Sequence, residues 1–129
     1  METNLEKILA EIKEDKKFSL EHLKFFIEEF NDRFWRALRN IISNSVKKYV
    51  FQPSNRVEWI VIGKNRDYLV VSNLYCSCDD FYVKVVVQKS AKMCYHLLSK
   101  ILADILDYHE QINVEDERYE ELMKDWRAF

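Results

Sequence analysis

The chain has 129 residues, with 20 basic and 22 acidic side chains, 48% hydrophobic and 14% aromatic residues, one glycine, one proline, three cysteines and three histidines. A chain of this length buries about 65–70% of its unfolded surface in a single domain, and its apolar content excludes intrinsic disorder. One glycine and one proline argue against an all-β sandwich or barrel, and a lone Gly63 excludes the glycine-rich phosphate cradles.

No apolar run approaches a membrane span, and the charged start (Glu2, Glu6, Lys7) does not read as a signal peptide, so no membrane partner is expected. Three cysteines cannot pair completely. That argues against a disulfide framework and for a reducing compartment, the cytoplasm or, in a eukaryote, the nucleus.

A first helix is predicted over about Thr3 to Asp15, with Leu5, Ile8, Leu9 and Ile12 at helical spacing. Ser19 reads as the N-cap of a longer second helix, with Glu21 in its first turn. At about 100° per residue, Leu20, Leu23, Phe26, Ile27, Phe30, Phe34, Leu38, Ile41 and Ser45 share one side; Arg33, Arg36, Arg39, Asn40, Ser43 and Lys47 share the other. The period then changes. Val57–Ile62 and Tyr68–Val71 flank a glycine-containing turn and read as a β-hairpin, and Tyr49-Val50-Phe51 as a third strand pairing on its edge.

Residues 79–87 are ambiguous between strand and helix. A helix follows over about Tyr95 to His109, and Asn113 reads as the cap of a last, acidic helix with a stripe of Tyr119, Leu122, Met123 and Trp126. The expected fold is α+β in one domain over residues 1–129: helices over 1–48, the sheet and the cysteine-bearing element over 49–110, and a C-terminal helix over 111–129.

Charge is uneven along the chain. From Arg33 to Arg66 there are eight basic residues and one acid; from Asp104 to Asp125 there are nine acids and two basic residues. Apart in space, these segments make the molecule strongly dipolar. They read either as solvated helix faces or as a nucleic-acid footprint with a protein-contacting acidic end. The candidate nucleic-acid residues are Arg33, Arg36, Arg39, Lys47, Arg56, Lys64 and Arg66, with Tyr68 beside the hairpin turn as a stacking aromatic. Tyr119, Trp126 and Phe129 are candidates for partner contact, with Leu122 turned to the chain's own core. Trp59 reads as a hairpin core residue, and His22 and His109 as surface or capping residues.

All three cysteines and one histidine form two tight pairs, Cys76-Ser77-Cys78 and, after fifteen intervening residues, Cys94-Tyr95-His96. Cys₃His is a standard tetrahedral set for structural zinc. Two positions apart in a helix, side chains diverge by about 200°, so Cys94 must lie in the turn entering the helix, with only His96 helical. A Cys94–His96 nucleophile–base dyad would need an orienting group and an oxyanion site that nothing nearby suggests. A Cys76–Cys78 disulfide would be strained and would strand Cys94. Inert buried cysteines would not explain why none falls outside the pairs. One closed structural Zn²⁺ held by Cys76, Cys78, Cys94 and His96 accounts for all four, and it implies no enzyme activity and no small-molecule substrate.

The run Cys76-x-Cys78 … Cys94-x-His96-Leu97-Leu98, with Tyr75, Phe81, Lys89-Ser90 and Met93 around it, resembles the SWIM zinc-finger family. The resemblance covers about Trp59 to Trp126 and is nearest to the small SWIM subunits of Shu-type complexes. It implies zinc ligation by the four residues, a ββα finger, and contact with DNA or protein. The implied role is an accessory factor of homologous recombination and DNA repair that binds a RecA-family recombinase paralogue and single-stranded DNA. The alternatives are a stand-alone DNA-binding protein using the Arg33–Arg66 stretch and, less consistent with a complete ligand set, a cysteine-dependent enzyme. In one departure, Tyr95 stands where many members carry lysine, so that position offers no cationic phosphate contact.

Overall fold

A computed structural model describes residues 4–71, 75–78 and 93–127. The element order is α1 (Asn4–Asp15), α2 (Leu20–Phe30), α3 (Asp32–Ile42), β1 (Val46–Gln52), β2 (Arg56–Ile62), β3 (Asp67–Val71), β4 (Tyr75–Cys76), α4 (Tyr95–Ile105), β5 (Glu110–Glu115), a 3-10 turn (Asp116–Arg118) and α5 (Tyr119–Arg127). The α+β class is as expected. The ambiguous segment 79–87 and Phe129 lie outside the described residues.

The predicted long second helix is two helices. Asn31 takes φ 52°, ψ −124°, closing α2 with its N–H on the Ile27 carbonyl and opening α3. Asparagine tolerates positive φ better than most residues, and nothing in the apolar spacing reveals such a break. The α2 N-cap is Ser19, whose Oγ accepts from the His22 N–H, while His22 Nδ1 accepts from the Ser19 N–H. His22 Nε2 lies 2.9 Å from Glu11 of α1. His22 therefore caps as expected, but it is buried, not a surface residue. Phe18, Phe26, Phe30 and Phe34 stack behind this corner. Leu20, expected on the buried side, is 84% exposed as the first residue of its helix.

The sheet order is β4-β3-β2-β1-β5. The predicted hairpin forms as β2 and β3, with Trp59 opposite Val70 and Val61 opposite Tyr68. Two strand expectations need correcting. Tyr49-Val50-Phe51 is not an edge: β1 pairs antiparallel with β2 on one side and parallel with β5 on the other, so the sheet is mixed. Asn113 does not cap a helix; it lies within β5, opposite Val50. Gln111, Ile112, Asn113 and Val114 alternate exposed and half-buried, a period-2 pattern overshadowed in the sequence by the acids around it. The last helix begins only at Tyr119.

Strand alternation divides the apolar side chains between two faces. Val46, Trp59, Val61, Val70 and Cys76 face the helices α1–α4, in one core with Phe26, Phe34, Leu97, Leu98 and Ile101. Trp59 is buried there as predicted, with Lys48 and Lys100 over its indole and the His109 ring against its edge. Phe51, Ile60 and Leu69 face the other way and are covered by Met123 and Trp126 of α5. That second face explains the acidic helix's stripe. Because β1 carries apolar side chains on both faces, Val46 on one and Phe51 on the other, covering both faces takes them out of water, and each large side chain so buried contributes about 1.5–3 kcal/mol.

Candidate metal centre

The two cysteine pairs arrive from different elements. Cys76 ends β4, and Ser77 and Cys78 form the bend after it. That bend is tied to β3 through its middle residue: Ser77 N–H donates to the Leu69 carbonyl (3.0 Å), and Ser77 Oγ accepts from the Leu69 N–H (3.0 Å). Arg66 adds a guanidinium that donates to the Ser77 carbonyl and Oγ (3.3 and 3.2 Å). With its middle residue spent on β3, the knuckle has both sulfurs left for the buried side.

Cys94 is the N-cap of α4. Its Sγ accepts from the Leu97 N–H at 3.4 Å, and Tyr95 is the first helical residue. This is the arrangement the spacing requires, with Cys94 in the entering turn and His96 in the helix. The donor atoms of Cys76, Cys78, Cys94 and His96 lie within 4.8 Å of one another, and all four residues are buried. Tetrahedral zinc holds sulfur at about 2.3 Å and nitrogen at about 2.0–2.1 Å, so small side-chain adjustments bring all four onto one ion.

Two observations test the fit. His96 Nδ1 is a buried ring nitrogen with no hydrogen-bond partner, a condition that buried polar atoms rarely tolerate without a ligand. The thiols are also crowded in an apolar pocket. Contact with Cys78 and Cys94, and then burial, holds the Cys76 thiol far above the ordinary range. At Cys94 the contact with Cys76 pulls downward, but Cys78 and burial outweigh it and push the thiol up to about 12. Three clustered sulfurs cannot become thiolates here without a cation, and a dication supplies it. The donor set fits one structural zinc ion.

The imidazole is held by aromatic neighbours. Tyr68 stacks on His96 with centroids 4.1 Å apart, and the Tyr95 ring also lies at 4.1 Å, tilted by 36°. Arg66 lies over the Tyr68 ring. Arg66 and Tyr68, marked in the sequence as a phosphate contact and a base-stacking residue, are therefore supports of the metal ligands. Ser77 carries no signal in the sequence beyond its place between two ligands.

The seven basic candidates do not form one surface. Arg33 and Arg36 line a cavity of about 190 Å³ with Asp32 and Tyr95 beside the metal ligands, and Arg39 is exposed one turn further along α3. Lys47 is not on a helix; it lies in β1 and pairs with Glu110 at 3.3 Å. Arg56 starts β2 and stacks on Tyr119 at 4.4 Å. Both belong to the face that α5 covers, away from α3. Lys64 is exposed in the hairpin turn. Parallel pairing of β1 with β5 sets part of the basic and acidic segments side by side rather than apart, and Ser54 at the β1–β2 turn binds Asp116.

The partner-contact candidates also move. Trp126 is 4% exposed, edge-on to Tyr49 and Phe51. Tyr119 packs edge-on to Phe51, and its hydroxyl donates to Glu58 at 3.0 Å. Both pack on the chain's own second core, Trp126 buried there and Tyr119 half-buried. Leu122 packs against that core, as expected. Exposed large apolar residues lie elsewhere, notably Trp35 (48%) and Ile42 (71%), two turns apart on α3.

Over 116 residues the chain is 33% identical to the zinc finger SWIM domain-containing protein 7 homolog of Dictyostelium discoideum, an alignment spanning 88% of this chain and 74% of that protein. No family model matches the chain, and no solved structure matches it. Among the described residues, no helix is long and apolar enough to cross a membrane.

Proposed function

The chain belongs to the SWIM zinc-finger family, and from that premise we propose that it is a non-enzymatic accessory factor of homologous recombination and DNA repair, which docks on a RecA-family recombinase paralogue and helps hold single-stranded DNA. The observation that carries this reading is the complete Cys₃His set at the junction of the hairpin and α4. Four protein ligands leave no open coordination position for hydrolytic chemistry, so the ion's work is to fix α4 and the knuckle as a rigid platform.

The exposed Trp35 and Ile42 on α3 support protein docking. Large aromatic and aliphatic residues exposed on one side of a helix suit a hydrophobic groove on a partner. Separation of the basic residues weighs against a stand-alone DNA-binding protein. A regulator gripping duplex through many phosphates needs a continuous basic face, whereas Lys47, Arg56 and Arg66 are occupied within the fold.

The test is co-purification of the tagged full chain from its source cell, with partners identified by mass spectrometry. Stoichiometric recovery of a RecA-fold paralogue, lost in Trp35→Ala/Ile42→Ser, is the expected result. Repeated recovery of the chain alone, or with proteins of other folds only, overturns the reading.

A further inference from the structure

The helix α3 has a fixed back and an open front. Phe34, Ala37 and Ile41 are buried in the core, and Asn40 Nδ2 donates to Ser99 Oγ of α4 at 3.1 Å. On the opposite side Trp35, Arg39 and Ile42 are exposed. Their i, i+4, i+7 spacing sets them in one stripe about 10 Å long. Arg36 beside the stripe is taken up by Asp32 at 4.0 Å and by the Tyr95 ring. Among the described residues no acid pairs with Arg39. Tryptophan and arginine are enriched among the residues that dominate binding energy at protein interfaces, and here they stand one turn apart on a helix already held in place.

We infer that α3 is the inserted element of a helix-in-groove contact: Trp35 and Ile42 enter an apolar groove on a protein partner, and Arg39 meets a carboxylate on its wall. The backbone donors of α3 are spent inside the helix, so no partner strand can pair with it and side chains alone carry the contact. Taking Arg39 out of water costs stability unless an anion faces it, and the guanidinium fork matches a carboxylate in two bonds. A nucleic-acid strand fits less well. The Ile42 side chain has nothing to gain from a phosphate or a sugar, and Asp32, one turn before Trp35, repels a phosphate backbone. A second copy of the chain fits less well too. Antiparallel packing that sets Trp35 on Ile42 of that copy brings both Arg39 guanidiniums together at the two-fold axis.

This deepens the docking reading above and rests on it, so the experiment separates the two. The full chain carrying benzoylphenylalanine in place of Ile42 is expressed in its source cell and irradiated, and the cross-linked peptide is sequenced. The expected peptide belongs to a protein and carries apolar residues with Asp or Glu close to the cross-link. Arg39→Glu is expected to lower recovery of that protein about tenfold, and reversing the cross-linked acid to Arg in the partner should restore it. Restoration by the swap excludes misfolding as the cause of the loss. Lys64→Glu, an equal charge change in the exposed hairpin turn, should leave recovery unchanged. Zinc content should stay at the wild-type value in each variant, because Arg39 and Lys64 are both exposed.

If Arg39→Glu recovers the partner like the wild type, or the cross-linked peptide holds no acid, the groove is wrong, while co-purification still judges the partner's fold. If the swap restores binding to a protein without the RecA fold, the groove stands and the proposed partner falls. A cross-link to nucleic acid, to a second copy of this chain or to nothing overturns the inference.

Discussion

The phenol ring of Tyr68 lies stacked on the imidazole of His96, centroids 4.1 Å apart and planes 26° from parallel. The single glycine of the chain makes room for it. A Cβ on Gly63 would stand 2.5 Å from Tyr68 Cε2 and 2.6 Å from the Arg66 carbonyl oxygen. The backbone atom cannot give way, and the ring can move only by leaving His96. Gly63→Ala is therefore expected to destabilise the fold by about 1–3 kcal/mol through overpacking. It should also weaken zinc retention, read as a faster loss of metal to a chromogenic chelator. Tyr68→Ala should weaken retention in the same direction, without the backbone clash.

Ser77 holds the cysteine knuckle to β3. Ser77→Ala leaves the buried Leu69 N–H without its acceptor, at a cost of about 1–3 kcal/mol. Because outer partners orient metal ligands, zinc affinity should fall about 10–100-fold. Competition with a zinc indicator checks this. Ser77→Gly, with no hydroxyl and a freer backbone, should be at least as weak.

The thiols give the metal-free state its own pH dependence. Mutual contact and burial raise the Cys76 and Cys94 pKa values in the fold, with Cys94 at about 12 against an ordinary 9.0. A group raised in the folded state adds stability below its unfolded pKa, and loses it as pH climbs toward the folded value. In chelator, urea midpoints should hold at pH 7–8 and fall progressively above about pH 9. With zinc bound the thiolates are already formed, so this alkaline loss should disappear. Zinc binding itself should strengthen as pH rises, since three protons leave the thiols.

Trp126 and Trp35 make an instructive pair. Trp126 fills the core between α5 and the sheet, so Trp126→Ala should cost about 3–5 kcal/mol without touching a partner surface directly. Trp35 is about half exposed, so Trp35→Ala should change stability by well under that amount while weakening partner recovery. Urea denaturation and pull-down on the same two variants give opposite patterns.

The metal centre was legible in the sequence because ligand chemistry and helix geometry act over a few residues. Only Cys94 at an N-cap and His96 within the helix can turn both donors inward, and the fold places them so. The hairpin was legible for the same local reason. What escaped depends on contacts distant in sequence. Asn31 breaks a helix whose apolar stripe continues past it. Lys47 and Asn113 read as helical until β1 and β5 meet in parallel, a pairing no local pattern encodes. Trp126 read as a partner anchor because the second face of the sheet, which it covers, exists only once five strands are assembled. Arg66 and Tyr68 read as a nucleic-acid contact because their true partners, Ser77 and His96, lie 11 and 28 residues away.

The donor set at the junction of α4 and the cysteine knuckle fits one ion that holds the two together. Structural zinc contributes about 10–16 kcal/mol in small fingers, comparable with the whole stability of a domain, about 5–15 kcal/mol. The most direct measurement is elemental analysis of the full chain purified without chelator, alongside Cys94→Ser and His96→Ala. One equivalent of zinc in the wild type, falling in both variants together with protection of the α4 amides from hydrogen exchange, is the predicted result. Less than about half an equivalent of any metal in the wild type, or variants that retain zinc and protection, would contradict it.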